Sequence, residues 1–298
     1  MDWNAMTETI ERGSGFIAAL DQSGGSTPNA LRNFGVDPDA WENDEEMFAL
    51  IHEMRCRILS SPCFSGDRVL GAILFEGTMA GEVDGVPVPR ALNDRGIVPF
   101  VKVDKGLDAE EDGVRLMKPI ADLDALLLRA RKLGVFGTKA RSLINEANRS
   151  GIVSVVRQQF ELARCVLEAG LVPIVEPEVN IASPERCEAD CILLEVLLDH
   201  LDRLPNDARV ILKLSLPAKV NHFEALTRHE RVMRVVALSG GYTRGEACAE
   251  LISNRGIIAS FSRALLQDLR ASMSDAEFDA SLDVAVAEIF EASMKQAA

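Results

Sequence analysis

The sequence predicts an α/β fold, a (β/α)8 TIM barrel closed in a single domain. Two observations carry that expectation. Eight short runs rich in β-branched residues recur along the chain, and apolar residues at helical spacing fill several of the intervals between them. No proline-rich or low-complexity linker breaks the alternation, and 298 residues suit a barrel folded as one unit. A doubly wound open sheet is the structural alternative, but it has fewer reasons to need this strand count.

Taken in order, the first run is FIAALDQ (16–22), preceded by a polar stretch that reads as an amino-terminal helical extension. The acidic stretch DPDAWENDEE (37–46) reads as a loop and a solvated helix start, and Met47, Leu50, Ile51, Met54 and Ile58 then fall at 3.6-residue spacing. VLGAILFE (69–76) and VPFVKVD (98–104) are the second and third runs. Leu123, Leu126, Leu127 and Ala130 predict the helix before GVFGTKAR (134–141), and Val156, Phe160, Ala163 and Leu167 the helix before LVPIVEPEV (171–179). RVILKLSLP (209–217), VMRVVALSGG (232–241) and IIASFSRAL (257–265) complete the set. Phe278, Leu282, Ala285 and Ile289 mark a carboxy-terminal helical segment.

Composition excludes several classes. A formal net charge of -14 argues against nucleic acid and against anionic membranes, and it repels phosphorylated metabolites unless the site is locally cationic. No apolar run approaches membrane-spanning length, and the opening MDWNAMTETIERGSG is neither signal- nor transit-like, so a cytoplasmic protein is expected. The six cysteines include no C-x-x-C pair and read as packing or surface thiols, although Cys187 and Cys191 fall on one helix face. His52, His200, His222 and His229 form no H-x-H or H-x-x-x-H pattern, so a histidine-bound catalytic zinc is not expected.

The informative signal is the phase of the charges. Strand side chains alternate between faces. In the sixth run Val210, Leu212, Leu214 and Leu216 form a uniformly apolar face, as a helix-covered side should, which turns Ile211, Lys213 and Ser215 into the barrel. The same counting groups Lys102 with Phe100 and Asp104, Lys139 with Gly137 and Arg141, Glu176 with Ile174 and Glu178, and Asp21 with Ile17 and Ala19. Glu76 is placed with Leu74. All these charges lie toward the carboxyl ends of their strands, where barrel enzymes build their sites.

Such a pocket suits an anionic substrate. Crowded cations and burial both favour a neutral amine, and a neutral amine attacks carbonyls. Lys213, deepest in apolar sequence, is the expected nucleophile, and nearby carboxylates would move the protons. The imine it forms is an electron sink that permits carbon–carbon bond cleavage beside the former carbonyl. Ser239, Gly240 and Gly241 at the end of the seventh run, with Arg263 at the end of the eighth, occupy the usual phosphate site of a barrel.

The segments ALDQSGGSTP, AILFEGTM, VPFVKVDKG, GTKAR, VPIVEPEV, LKLSLP, LSGG and SFSRAL occur in this order across nearly the whole chain. Together they resemble the class I fructose-bisphosphate aldolases, particularly the shorter bacterial branch. That resemblance implies a cofactor-free, metal-independent lyase of glycolysis that cleaves fructose 1,6-bisphosphate reversibly into dihydroxyacetone phosphate and glyceraldehyde 3-phosphate. It implies that Lys213 forms the Schiff base, Glu176 shuttles protons, Asp21 assists cleavage and Lys139 sits beside the nucleophile. It also implies that Lys102, Arg141 and Glu178 surround them, and that Ser239, Gly240, Gly241, Arg263 and Ser26 hold phosphate. The implied partners are phosphorylated ketoses and trioses; a homo-oligomer is left open, since animal members are tetramers and short bacterial members need not be. Two departures stand out. Asn29 and Ala30 replace a basic residue or pair that grips the distal phosphate in many relatives, with Arg32 one helical turn on. The chain ends MKQAA where animal members carry a tyrosine, and its only tyrosine is Tyr242. Asn29 therefore keeps a second reading open, a Schiff-base aldolase for another phosphorylated ketose such as fructose 1-phosphate. A sugar-phosphate sensor without activity is a third, against which the retention of every key position argues.

Overall fold

The computed structural model describes residues 1–295 except Gly24 and Ser26. All eight runs form strands: β1 Phe16–Leu20, β2 Val69–Leu74, β3 Val98–Lys102, β4 Gly137–Ile144, β5 Val172–Val179, β6 Val210–Ser215, β7 Val232–Leu238 and β8 Ile257–Ala259. They pair in chain order and always in parallel. Between β8 and β1 the barrel is nearly closed, the Ala19 amide donating to the Phe261 carbonyl at 3.2 Å. At the same end, the Ala259 amide donates to Ser293 Oγ at 3.1 Å, so the last helix, Asp275–Met294, supplies an acceptor that no strand provides.

The alternation of faces is as the sequence predicts. Val210, Leu212, Leu214 and Leu216 belong to the outer core under the helices, whereas Ile211 belongs to the inner one with Ile17, Ala19, Phe100, Ile174, Val236 and Ile258. Phe100 fills the lower barrel because two neighbouring strands present glycine there. A Cβ on Gly71 would lie 3.0 Å from its ring, and one on Gly137 2.9 Å. The floor is the helix Trp3–Arg12, whose Met6 and Ile10 join the inner cluster. Arg234 of β7 donates to the carbonyls of Ile10 (2.8 Å) and Gly13 (3.0 Å), satisfying acceptors at the end of that helix. With its lower end plugged by apolar side chains, the barrel is open only at the carboxyl ends of the strands.

Six of the eight runs end sooner than the sequence suggests, and at β1, β8 and β2 the early end moves an expected charge off its strand. β1 stops at Leu20, so Asp21 and Gln22 lie just past it, and β8 stops at Ala259, so Arg263 opens a short helix. β2 stops at Leu74, and Leu74 packs outward. Glu76 begins the helix Glu76–Ala80 and pairs with Lys105 (2.9 Å) and with Arg129. Its expected place in the ring of inward charges is therefore corrected: the chain leaves extended geometry before residue 76, and counting by twos no longer applies. Among the described residues, no helix is long and apolar enough to cross a membrane.

Candidate active site

Four strands, and the segment just past β1, bring charge to the open end of the barrel. Lys213 on β6 sits one strand from Glu176 on β5, and its Nζ lies 3.0 Å from Glu176 Oε1. The other oxygen, Oε2, lies 2.9 Å from Lys139 Nζ on β4. Lys139 also meets Asp21 Oδ2 at 2.7 Å and Asp104 Oδ2 at 3.8 Å. Lys102 on β3 pairs with Asp104 Oδ1 at 2.7 Å, and Arg141 pairs with Glu178. Lys139, Glu176 and Lys213 are each at most 4% exposed. β5 and β6 pair only at Ile174–Ile211 and Val175–Leu212, so they part where Glu176 and Lys213 face the cavity. Above that level Ser215 Oγ bridges the two strands by donating to the Val179 carbonyl at 2.6 Å and accepting from its amide at 3.0 Å.

The expected crowding of cations takes a different form. Each is set against a carboxylate, because buried ions are tolerable only when paired. Burial alone would raise the Asp21 pKa, but Lys139 and Lys213 outweigh it and hold the carboxyl well below the usual carboxylate range. Asp104 is depressed too, with Lys139 and then Lys102 overriding burial. Burial likewise opposes the Lys139 ammonium, yet Asp21, Glu176 and Asp104 raise its pKa well above that of a free lysine. Lys139 is thus a fixed cation at the centre of three carboxylates.

These shifts set a pH window. Groups depressed by folding, Asp21 and Asp104, add stability above their unfolded pKa of about 3.9 and lose it as pH falls through their folded values. Lys139, raised by folding, adds stability below about 10.4 and loses it only as pH climbs through its folded pKa. Urea unfolding should therefore show a contribution from this cluster that is flat near neutrality and shrinks below about pH 4. Stability that stays constant down to about pH 2 would contradict it.

The cluster lines a cavity of about 1280 Å³. Ser239, Gly240, Gly241 and Arg263 line the same cavity, together with Asn29, Arg32 and Tyr242. Gly240 adopts a φ of +59°, and a Cβ there would lie 2.8 Å from Ile181 Cγ2, so only glycine fits without adjustment. Arg32 donates to the Asn29 side chain within the Thr27–Asn33 helix. Ser26, also expected at a phosphate, lies outside the described residues.

A family model described as "Glycolytic: Fructose-bisphosphate aldolase class-I" matches residues 4–221. The chain belongs to the class I fructose-bisphosphate aldolases. A Synechocystis "Fructose-bisphosphate aldolase class 1" is 54% identical to this aldolase over 281 residues, 94% of each chain. The Plasmodium falciparum aldolase, solved with TRAP and a small-molecule inhibitor, superposes with a TM-score of 0.78 at 22% identity, covering 99% of this chain and 96% of that one. A Corynebacterium glutamicum protein gives 0.54 at 15% identity over 97% and 92%. Both structural likenesses speak for the barrel fold.

Two side chains of the aldolase's cavity escaped the sequence. Asp104 is given no role there, although it shares the inward face of Lys102 and here touches both Lys102 and Lys139. Arg115 reaches the rim from a two-residue strand, Val114–Arg115, that pairs antiparallel with β4 and has no strand-length signal. Among the described residues no three His, Cys, Asp or Glu side chains gather as a metal-binding group.

Proposed function

We propose that the buried charges at the barrel mouth carry the family's reaction, reversible cleavage of fructose 1,6-bisphosphate, through an imine on Lys213. The supporting observation is one carboxylate shared by two lysines: Glu176 meets Lys213 at 3.0 Å and Lys139 at 2.9 Å. The attacking amine must be neutral, and Glu176 Oε1 is within reach to take its proton. Attack on the ketose carbonyl gives a carbinolamine, and protonation of its hydroxyl by Glu176 lets water leave. The C3–C4 bond then breaks, its electrons pass into the protonated imine to form an enamine, and Asp21 takes the proton of the C4 hydroxyl as the aldehyde forms. Lys139, a fixed cation between Asp21 and Glu176, stabilises the negative charge that moves between them. Lys102, Arg141 and Glu178 orient the hydroxyls. Ser239, the Gly240 and Gly241 amides, and Arg263 receive the 1-phosphate, Ser239 and the glycines from the loop after β7 and Arg263 from that after β8. The acidic chain and the glycolytic family support a cytoplasmic location.

Comparing turnover of fructose 1,6-bisphosphate with that of fructose 1-phosphate by the purified protein tests the substrate. A clear preference for the bisphosphate is expected, and equal or greater turnover of the monophosphate would contradict it. The comparisons do not favour the other ketose. Asn29→Lys should raise the ratio of kcat/KM for bisphosphate over monophosphate by about tenfold or more, the size of one charge-assisted hydrogen bond. An unchanged ratio would mean that position 29 adds no missing charge, Arg32 already supplying it.

A further inference from the structure

The least explained charge in the molecule lies behind the site, not in it. Arg55, on the helix Asp44–Ser60, is fully buried at 0% exposure. Its Nη1 donates to Thr78 Oγ1 at 2.8 Å, its Nη2 donates to the Gln22 carbonyl, and its Nε has no partner among the described residues. The guanidinium lies 5.7 Å from the centre of the Phe75 ring. Among the described residues no carboxylate is within ion-pair distance of it. Burial lowers its pKa to about 10, Asp21 resists that shift, and the group stays charged at neutral pH.

A buried cation with only neutral hydrogen-bond partners is a poor device for stability, since a well-packed apolar side chain is commonly as good or better. What Arg55 does hold is the backbone beside a reacting group. β1 ends at Leu20, so no strand ladder fixes Asp21 or Gln22. Gln22 is fixed instead by two anchors. Its carbonyl accepts from Arg55, and its side-chain Nε2 donates to Ser262 Oγ at 2.7 Å, across the seam between β1 and β8. Asp21, one residue earlier, must keep its Oδ2 at 2.7 Å from Lys139.

We propose that Arg55 is a positioning residue: it grips the Gln22 carbonyl so that the preceding Asp21 carboxylate is held against Lys139 and aimed at the hydroxyl proton released in carbon–carbon cleavage. The proposal rests on the roles given above to Lys213 and Asp21. Imine formation at Lys213 and Glu176 does not pass through this anchor, so loss of Arg55 should separate the two halves of the reaction.

The test uses Arg55→Met, Asp21→Asn and the double variant in the full-length protein. Three things are measured: borohydride trapping with dihydroxyacetone phosphate, kcat and KM for the bisphosphate, and the melting temperature. Arg55→Met should trap the adduct on Lys213 as the wild type does, with kcat reduced about 10²-fold, as for a misplacement near 1 Å. KM should change by no more than about threefold, because ground-state binding is kept. Added to Asp21→Asn it should lower kcat no further, because both changes remove the same function. A folded Arg55→Met with wild-type kcat overturns the proposal, and so does a full second loss in the Asp21→Asn background. Should Arg55→Met not fold, Arg55→Lys carries the test, with trapping intact and kcat about tenfold lower because one amine replaces a two-pronged donor. Wild-type kcat in that variant overturns the proposal equally. A wild-type protein that yields no adduct on Lys213 overturns instead the imine reading beneath it.

Discussion

Lys213→Met is expected to lower the rate of bisphosphate cleavage by about 10⁵-fold or more, as loss of a covalent nucleophile does. The protein should remain folded. Lys213 is only 4% exposed and sits between Ile211 and the cavity, so a methionine of similar length replaces its stem. Loss of its ion pair with Glu176 leaves that carboxylate still partnered by Lys139 at 2.9 Å. Binding of substrate phosphate should persist, because Ser239, Gly240 and Arg263 line the cavity independently of it. Steady-state cleavage and equilibrium binding of a bisphosphate check both halves. Cleavage within about tenfold of wild type would mean that another group forms the intermediate.

Lys139→Met is expected to damage fold and chemistry together. It removes the cation that Asp21, Asp104 and Glu176 share; Asp104 keeps Lys102 and Glu176 keeps Lys213, but Asp21 loses its ion pair while still buried. Breaking a buried pair from one side destabilises by about 3–5 kcal/mol, read as a lower urea midpoint. The pH dependence should also change sign. Without the cation, Asp21 loses its 2.7 Å partner, and burial raises its folded pKa above the unfolded one. Its stabilising effect is then present below about pH 4 and is lost as pH rises through the folded value, so the variant should be more stable at about pH 5 than at about pH 8. Wild type should not show that reversal. Equal midpoints for variant and wild type would contradict the central role given to this ammonium.

Much of this site is legible in the sequence because a strand has a period of two and a barrel buries both faces of it. The uniform face of Val210, Leu212, Leu214 and Leu216 leaves Lys213 only the interior, and the structure places it there. The same counting brings Lys102, Lys139, Arg141, Glu176 and Glu178 to one cavity. It fails at Glu76, because β2 has already given way to a helix and parity carries no meaning beyond Leu74. It is also silent on pairing. That each cation faces a carboxylate, and that one glutamate joins two lysines, depends on stagger between strands, which periodicity within one strand does not encode. Arg115 arrives from a loop excursion after β3 and has no periodic signal at all. Arg55 is different. It lies four residues after Ile51 and three before Ile58, a charge on an apolar helical stripe. The reasoning that singles out Lys213 applies to it equally, on the helical period instead of the strand period.

Covalent trapping tests the account most directly. The protein is incubated with dihydroxyacetone phosphate, reduced with sodium borohydride, digested and mapped by mass. The arrangement of Lys213 against Glu176 predicts one stable adduct, on the peptide carrying residue 213 and absent from Lys213→Met. No adduct, or one on Lys139 or Lys102 instead, would contradict it.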